Sequence, residues 1–143
     1  MSARFGLHRD DRGAAAVELA LVISILFLLL FGIVQFGLAY HVHQGIQAAA
    51  REGARIASLP DSTSDQIAGR VTDALSLVGS TETCPSPGVD EYCVTITPAS
   101  ARPCFGRSGQ QVAVDVASKV RILIPLWDSP EVTLNGRGVF RCE

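Results

Sequence analysis

Few residues in this chain are equipped for chemistry, and they are unevenly placed. One carboxylate, Glu18, stands inside the apolar stretch GAAAVELALVISILFLLLFGIVQFGLAY that runs from Gly13 to Tyr40. An ionised acid costs about 3 kcal/mol at a bilayer centre and less near an end, where it reaches headgroups. From its position alone, Glu18 reads as a snorkelling boundary carboxylate. All four cysteines, Cys84, Cys93, Cys104 and Cys142, follow that stretch. Their spacing is not that of the CxxC pairs of a zinc site. An even number in a small domain beyond a membrane segment points to two disulfides in an oxidising compartment. His41 and His43 invite a metal reading, but two residues apart on a helix they point about 200° away from each other and cannot chelate one ion.

Other chemistry is scarce. No Ser/His/Asp or Cys/His set has the spacing of a nucleophilic site, and there is neither a P-loop nor a GxGxxG. The three histidines lie at or before residue 43. Asp115, Asp128 and Glu131 are isolated acids in or near strands and read as solvated edge residues. No catalytic residue, cofactor, metal or small-molecule substrate is expected. A net charge of −2, with acids and bases mixed over 143 residues, leaves no basic face for nucleic acid.

The element that must position Glu18 is the apolar stretch itself. From Leu19 to Val34 there is no charge, and Ser24 is the only polar side chain. About 20 apolar residues cross the roughly 30 Å hydrocarbon core of a bilayer. Leu19 to Tyr40 has that length, with Gln35 and Tyr40 near one boundary. The chain is too short to enclose such a helix on every side, so a single membrane span is expected. A secretory signal peptide has a shorter apolar region followed by a small-x-small site. Here the small residues Gly13-Ala14-Ala15-Ala16 precede the apolar run, and a cut there leaves the helix on the mature chain. Arg4, Arg9 and Arg12 are accompanied by Asp10 and Asp11, so the basic bias over Arg51 and Arg55 is slight. The cysteines set the orientation expected: N-terminus cytoplasmic, C-terminal domain outside.

Past Tyr40 nothing interrupts a helix before Pro60. Gly37, His41, Gly45, Ala49, Gly53 and Ala57 recur every four residues, a stripe of mostly small side chains that lets another helix backbone approach closely. Arg51 and Arg55 share a face, with Glu52 beside them, and read as a solvated or interface edge. Pro60 to Ser64 breaks the helix, and Ser62 with Asp65 has the capping-box pattern. Ile67, Val71, Ala74, Leu75 and Val78 mark the buried face of a second helix ending near Gly79. Gly79 to Asp90 is turn-rich. Tyr92–Thr97 alternates as a strand, and Val112–Ile124 reads as one long strand or two with a bulge near Ser118. After a turn at Pro125–Pro130, Val132, Leu134 and Phe140 continue the alternation, interrupted by Gly136 and Gly138.

The order predicts an α+β fold: a long helix, then one amphipathic helix against an antiparallel sheet of three to four strands. The expected divisions are 1–13, a cytoplasmic leader; 14–40, the span; 41–59, the helix continued outside; and 60–143, a disulfide-stapled domain. Four cysteines allow three connectivities, and spacing does not choose among them. Cys84–Cys93, closing a short Pro/Gly loop, and Cys104–Cys142, pinning a loop to the C-terminal end, are favoured.

These residues also carry a resemblance. Arg12-Gly13, three alanines, Val17, Glu18 and the apolar run resemble the processing site of type IV pilin-like proteins. The heptapeptide Ala49-Ala50-Arg51-Glu52-Gly53-Ala54-Arg55 resembles the AAREGAR signature of TadE-like proteins, and the apolar turn from Phe31 to Gly37 is similar to theirs. Leu19 departs from the pattern, an aromatic residue often following the Glu. The resemblance covers Arg12 to Ala57 and implies a pilin-like fold and a minor pilin or pseudopilin of a tight-adherence (Flp-type) pilus system. A prepilin peptidase would cut after Gly13, leaving the amine of Ala14 one helical turn from Glu18, so that the carboxylate of one subunit pairs with the amine of a neighbour. The implied partners are the membrane, other pilin-like subunits, the Tad assembly apparatus and the peptidase. The rivals are an uncleaved, membrane-anchored binding module and a tethered enzyme, the latter requiring two carboxylates converging in a cleft.

Overall fold

The structure is a computed structural model that describes residues 11–75, 80–81, 84, 87–89, 91–123 and 129–143. The expected leader up to residue 10, Val78 and Gly79 at the end of the second helix, and Ile124 and Asp128 lie outside the described residues. The architecture is α+β, as the sequence pattern predicts. Helix α1 runs unbroken over Asp11–Ala57, 47 residues, a length of about 70 Å at 1.5 Å per residue. Helix α2 spans Ser64–Ala74. Strands β1 (Ser80–Thr81), β2 (Glu91–Thr97), β3 (Gln111–Arg121) and β4 (Glu131–Arg141) form one sheet in chain order. Strands β2, β3 and β4 pair antiparallel. The fourth strand differs from expectation: β1 pairs with β2 in parallel, over two residues.

The hydrophobic pattern explains why one half of α1 packs and the other does not. Ile46, Ala49, Ala50, Ala54 and Ala57 are fully or almost fully buried, joined by Ile67, Val71 and Leu75 from α2 and by Tyr92, Val112, Val114 and Val116 from the sheet. Between Val17 and Tyr40, by contrast, every large apolar side chain is exposed. None of the most apolar 18-residue window of α1, of mean hydropathy 2.9, is buried. A core helix of a soluble protein would be enclosed along that window. Ser24 satisfies its hydroxyl within the helix, donating to the Ala20 carbonyl at 2.8 Å, which suits a segment surrounded by hydrocarbon.

Several local expectations are corrected. The N-cap of α2 is Thr63, one residue beyond Ser62. Thr63 Oγ1 accepts from the Gln66 amide at 3.3 Å, and Gln66 Oε1 accepts from the Thr63 amide at 3.2 Å, a complete capping box. Ser62 instead turns inward and donates to the Leu59 carbonyl at 2.9 Å. Ala74 is exposed, because the core meets the narrower stripe of Ile67, Val71 and Leu75. Of the two readings of β3, the single long strand holds: its register with β4 runs without a slip from Gln111↔Arg141 to Arg121↔Glu131. Ser118 therefore stays on the even-numbered, buried face, where its hydroxyl donates to the Glu91 carbonyl at 2.8 Å. A hydrogen-bonded serine replaces the apolar residue the pattern called for.

Candidate functional site

Long helix α1 carries nearly every residue singled out from the sequence. Gly13 is exposed, and a methyl group built there meets nothing within 4 Å. Glu18 is also exposed and forms no ion pair among the described residues. Ala14 and Glu18 stand one turn apart on one helix face. Among the described residues, none of the folded domain covers Ala14 or Glu18.

The heptapeptide Ala49–Arg55 sits where α1 crosses the sheet. Its small residues Ala49, Ala50, Gly53 and Ala54 are buried, while Arg51 and Arg55 face solvent and Glu52 is half-buried. Arg55 grips Glu52 with two hydrogen bonds, at 2.7 and 2.9 Å. The hydrogen bond from Arg55 is the main cause that holds the Glu52 carboxyl below its ordinary 4.5. The same contact raises Arg55.

The neighbours of the small residues explain their size. A Cβ on Gly53 would stand 2.5 Å from Val71 Cγ2 of α2 and 3.3 Å from Val114 Cγ1 of β3. On the facing strand, a Cβ on Gly136 would lie 2.8 Å from the Ile46 carbonyl oxygen, and one on Gly138 would overlap the Ala50 carbonyl. Glycine on both sides lets backbone meet backbone. The stripe expected to receive a second helix is thus divided. Ala49, Gly53 and Ala57 are covered by this chain's own α2 and sheet, Gly45 is partly buried, and Gly37 is open, with nothing within 4 Å of a built Cβ. Period-four spacing detects close approach but does not say which element approaches. Gly136 and Gly138 are the site residues the sequence reading passed over, although glycines two apart in a strand are a signal of such contact.

The cysteines pair as Cys84–Cys93, with Cα atoms 5.2 Å apart, and Cys104–Cys142, at 5.3 Å. The second bridge ties the loop before β3 to the end of β4. Beside it the Glu143 amide donates to the Ser58 carbonyl at 3.0 Å and the Cys142 amide to the Gln110 carbonyl at 2.8 Å. The end of α1, the β2–β3 loop and the last residues are thereby one assembly.

His41 is exposed, whereas His43 is half-buried with its Nδ1 enclosed and without a hydrogen-bond partner among the described residues. His43 lines an open apolar recess of about 720 Å³ with Phe36, Gly37, Ala39, Tyr40, Ile122, Val132 and Leu134. Among the described residues no group of three His, Cys, Asp or Glu side chains is placed to hold a metal. The acids near the strands are engaged with cations rather than with each other: Asp115 lies 3.5 Å from Arg137 and Glu131 3.3 Å from Arg121.

Comparison with known proteins adds one finding. Residues 13–55 match the family model described as TadE-like protein. The match ends at the last residue of the heptapeptide and is confined to α1. No curated protein and no solved structure matches the chain.

Proposed function

From the TadE-like segment over residues 13–55 we propose that this chain is a pilin-like membrane subunit, a minor pilin or pseudopilin, serving assembly of a Tad (Flp-type) pilus. The observation that carries the reading is α1 itself. Its first half is a naked apolar rod, and its second half is the central helix of a disulfide-bonded domain. A free-standing apolar helix needs a bilayer or a bundle of like helices, and a rod fixed in its domain carries that domain wherever it goes.

In this reading the peptidase cuts between Gly13 and Ala14, and the new amine and Glu18 provide opposite charges one turn apart. In a bundle of subunits each carboxylate meets a neighbour's amine, which a buried charge requires. The N-terminus lies in the cytoplasm, and the cysteines lie in the oxidising space outside the cytoplasmic membrane. The chain acts as a structural part, through the membrane, sibling subunits and the assembly apparatus, rather than on a substrate.

Intact mass and N-terminal sequencing of the protein from its own membranes test the reading. The expected chain begins at Ala14 with all four cysteines oxidised. A chain still carrying residues 1–13 overturns processing and leaves an anchored binding module. Given correct processing, Glu18→Ala is expected to abolish co-purification with sibling subunits without altering insertion.

A further inference from the structure

The end of the sheet formed by Ile122, Leu123 and Val132 lies beside α1 at the place where its apolar half begins. Gly138 meets Ala50 and Gly136 meets Ile46. Two strand residues, about 6.7 Å, therefore match four helical residues, about 6 Å, and α1 runs alongside β4. Four strand residues further, Val132 stands about 13 Å on, the height of about nine helical residues, which leads from Ile46 to Gly37. The recess observed there is indeed lined by Val132 together with Phe36 and Gly37. On the other side of Ala39, Arg121, Ile122 and Leu123 line a second recess with Gln35, Leu38 and Val42. The Ile122 amide still bonds across the hairpin, to the Pro130 carbonyl at 3.0 Å, so Leu123 lies one residue beyond this pairing.

That height matters because of the length of the rod. Ala14 to Gln35 measures about 33 Å along a helix, the thickness of a hydrocarbon core, and Gln35 is the first polar side chain after Ser24. We infer that the β3–β4 end of the domain rests in the outer headgroup region of the bilayer, with Ile122, Leu123 and Val132 against lipid acyl chains. The surface chemistry suits that layer. Leu123 is 59% exposed, Phe36 68% and Tyr40 63%, an apolar and aromatic collar of the kind found at membrane boundaries. Arg121, half-exposed and paired with Glu131, has the snorkelling reach of a boundary cation toward lipid phosphate. The opposite end of the sheet, at Gln111↔Arg141 and the Cys104–Cys142 bridge, lies far from the rod. The recess is then filled by lipid, and the domain is held upright at two points rather than swinging on a single helix.

This inference rests on the span reading, so the experiment includes a probe for each. The full chain is reconstituted at low density in phosphatidylcholine–phosphatidylglycerol vesicles. The single tryptophan is replaced (Trp127→Phe), and one tryptophan is introduced at a time by Phe27→Trp, Leu123→Trp or Phe105→Trp, with oxidised cysteines confirmed by mass. Phe27 lies within the rod, and Phe105 is exposed beside Cys104. The expected result is loss of F27W emission to deep nitroxide lipids, of L123W emission to shallow nitroxide lipids, and of F105W emission only to aqueous iodide. F27W quenched by deep lipid with L123W quenched by iodide overturns the inference and leaves the span standing. L123W shielded from lipid and iodide alike also overturns it, placing protein in the recess. F27W quenched by iodide overturns the span and this inference together.

Discussion

Glycine is where single residues decide most in this protein, and its positions divide into two kinds. At Gly138 a methyl group would overlap the Ala50 carbonyl, with the Arg51 Cα 2.8 Å away. Both obstacles are backbone, so neither can rotate aside. Overpacking a filled site costs about 1–3 kcal/mol, and Gly138→Ala belongs at the upper end of that range. Gly69, in the middle of α2, meets nothing within 4 Å, and Gly69→Ala there is expected to stabilise by up to about 1 kcal/mol through helix propensity. Urea unfolding of the two variants checks the contrast in sign. The same residues mark what was legible in the sequence. The small stripe of α1 is evident from its period, but spacing records the need for closeness and not the identity of the neighbour, which at Gly53 is both α2 and β3. Gly136 and Gly138 supply the missing half, and only their register with Ile46 and Ala50 reveals it.

At the scale of elements, the last turns of α1 and the two bridges hold the domain to its rod. The Glu52–Arg55 pair has a definite pH signature. The folded-state pKa of Glu52 is lowered, so its contribution is fully present above the unfolded value near 4.5 and is lost as pH falls through the lowered folded value. Arg55, raised by the same hydrogen bond, contributes throughout the acid and neutral range and loses its part only in strong alkali. Arg55 is exposed and Glu52 about half-exposed, and salt screens such pairs. The melting temperature of Glu52→Gln should therefore lie slightly below that of the native chain at neutral pH and low salt, and the gap should close in acid or at high salt.

The bridges differ by the loop each closes. The chain-entropy estimate gives about 4 kcal/mol for the 38-residue separation of Cys104–Cys142 and about 2.5 kcal/mol for the nine-residue separation of Cys84–Cys93. Paired alanine variants should rank in that order in urea midpoint. Elements were the most legible scale. Alternation located β2, β3 and β4, and the apolar period located α1 and α2. Sequence pattern missed or left open the places where a polar side chain bonds backbone: Thr63 rather than Ser62 caps α2, and at Ser118, where one strand or two was left open, the hydroxyl bonds the Glu91 carbonyl within a continuous β3. Such roles depend on φ/ψ and neighbours that a one-dimensional pattern does not carry.

For the whole molecule, the fact with most consequence is that the apolar rod and the domain core are one helix. The division at residue 40 follows the change in polarity and that at 59 the helix break before Pro60; α1 runs through the polarity change at 40 and the burial onset at Ile46 without a break, ending at Ala57. Ile46, Ala49, Ala50, Ala54 and Ala57 face β3, β4 and α2 directly. Removing them strips the inner face of the sheet, since a three-stranded sheet with one short helix leaves most of that face to water. A fragment of residues 42–143 is therefore expected to be soluble, cooperatively folded and doubly disulfide-bonded, whereas 60–143 is expected to lack a cooperative transition in thermal unfolding monitored by near-ultraviolet circular dichroism. The pair of fragments separates two pictures of the protein. If 60–143 folds alone, the helix is a tether and the domain an independent module. If it does not, any force on the rod is delivered straight to the core, and a cut at Gly13 is compatible with the fold because it spares every residue from Ala14 onward that the domain needs.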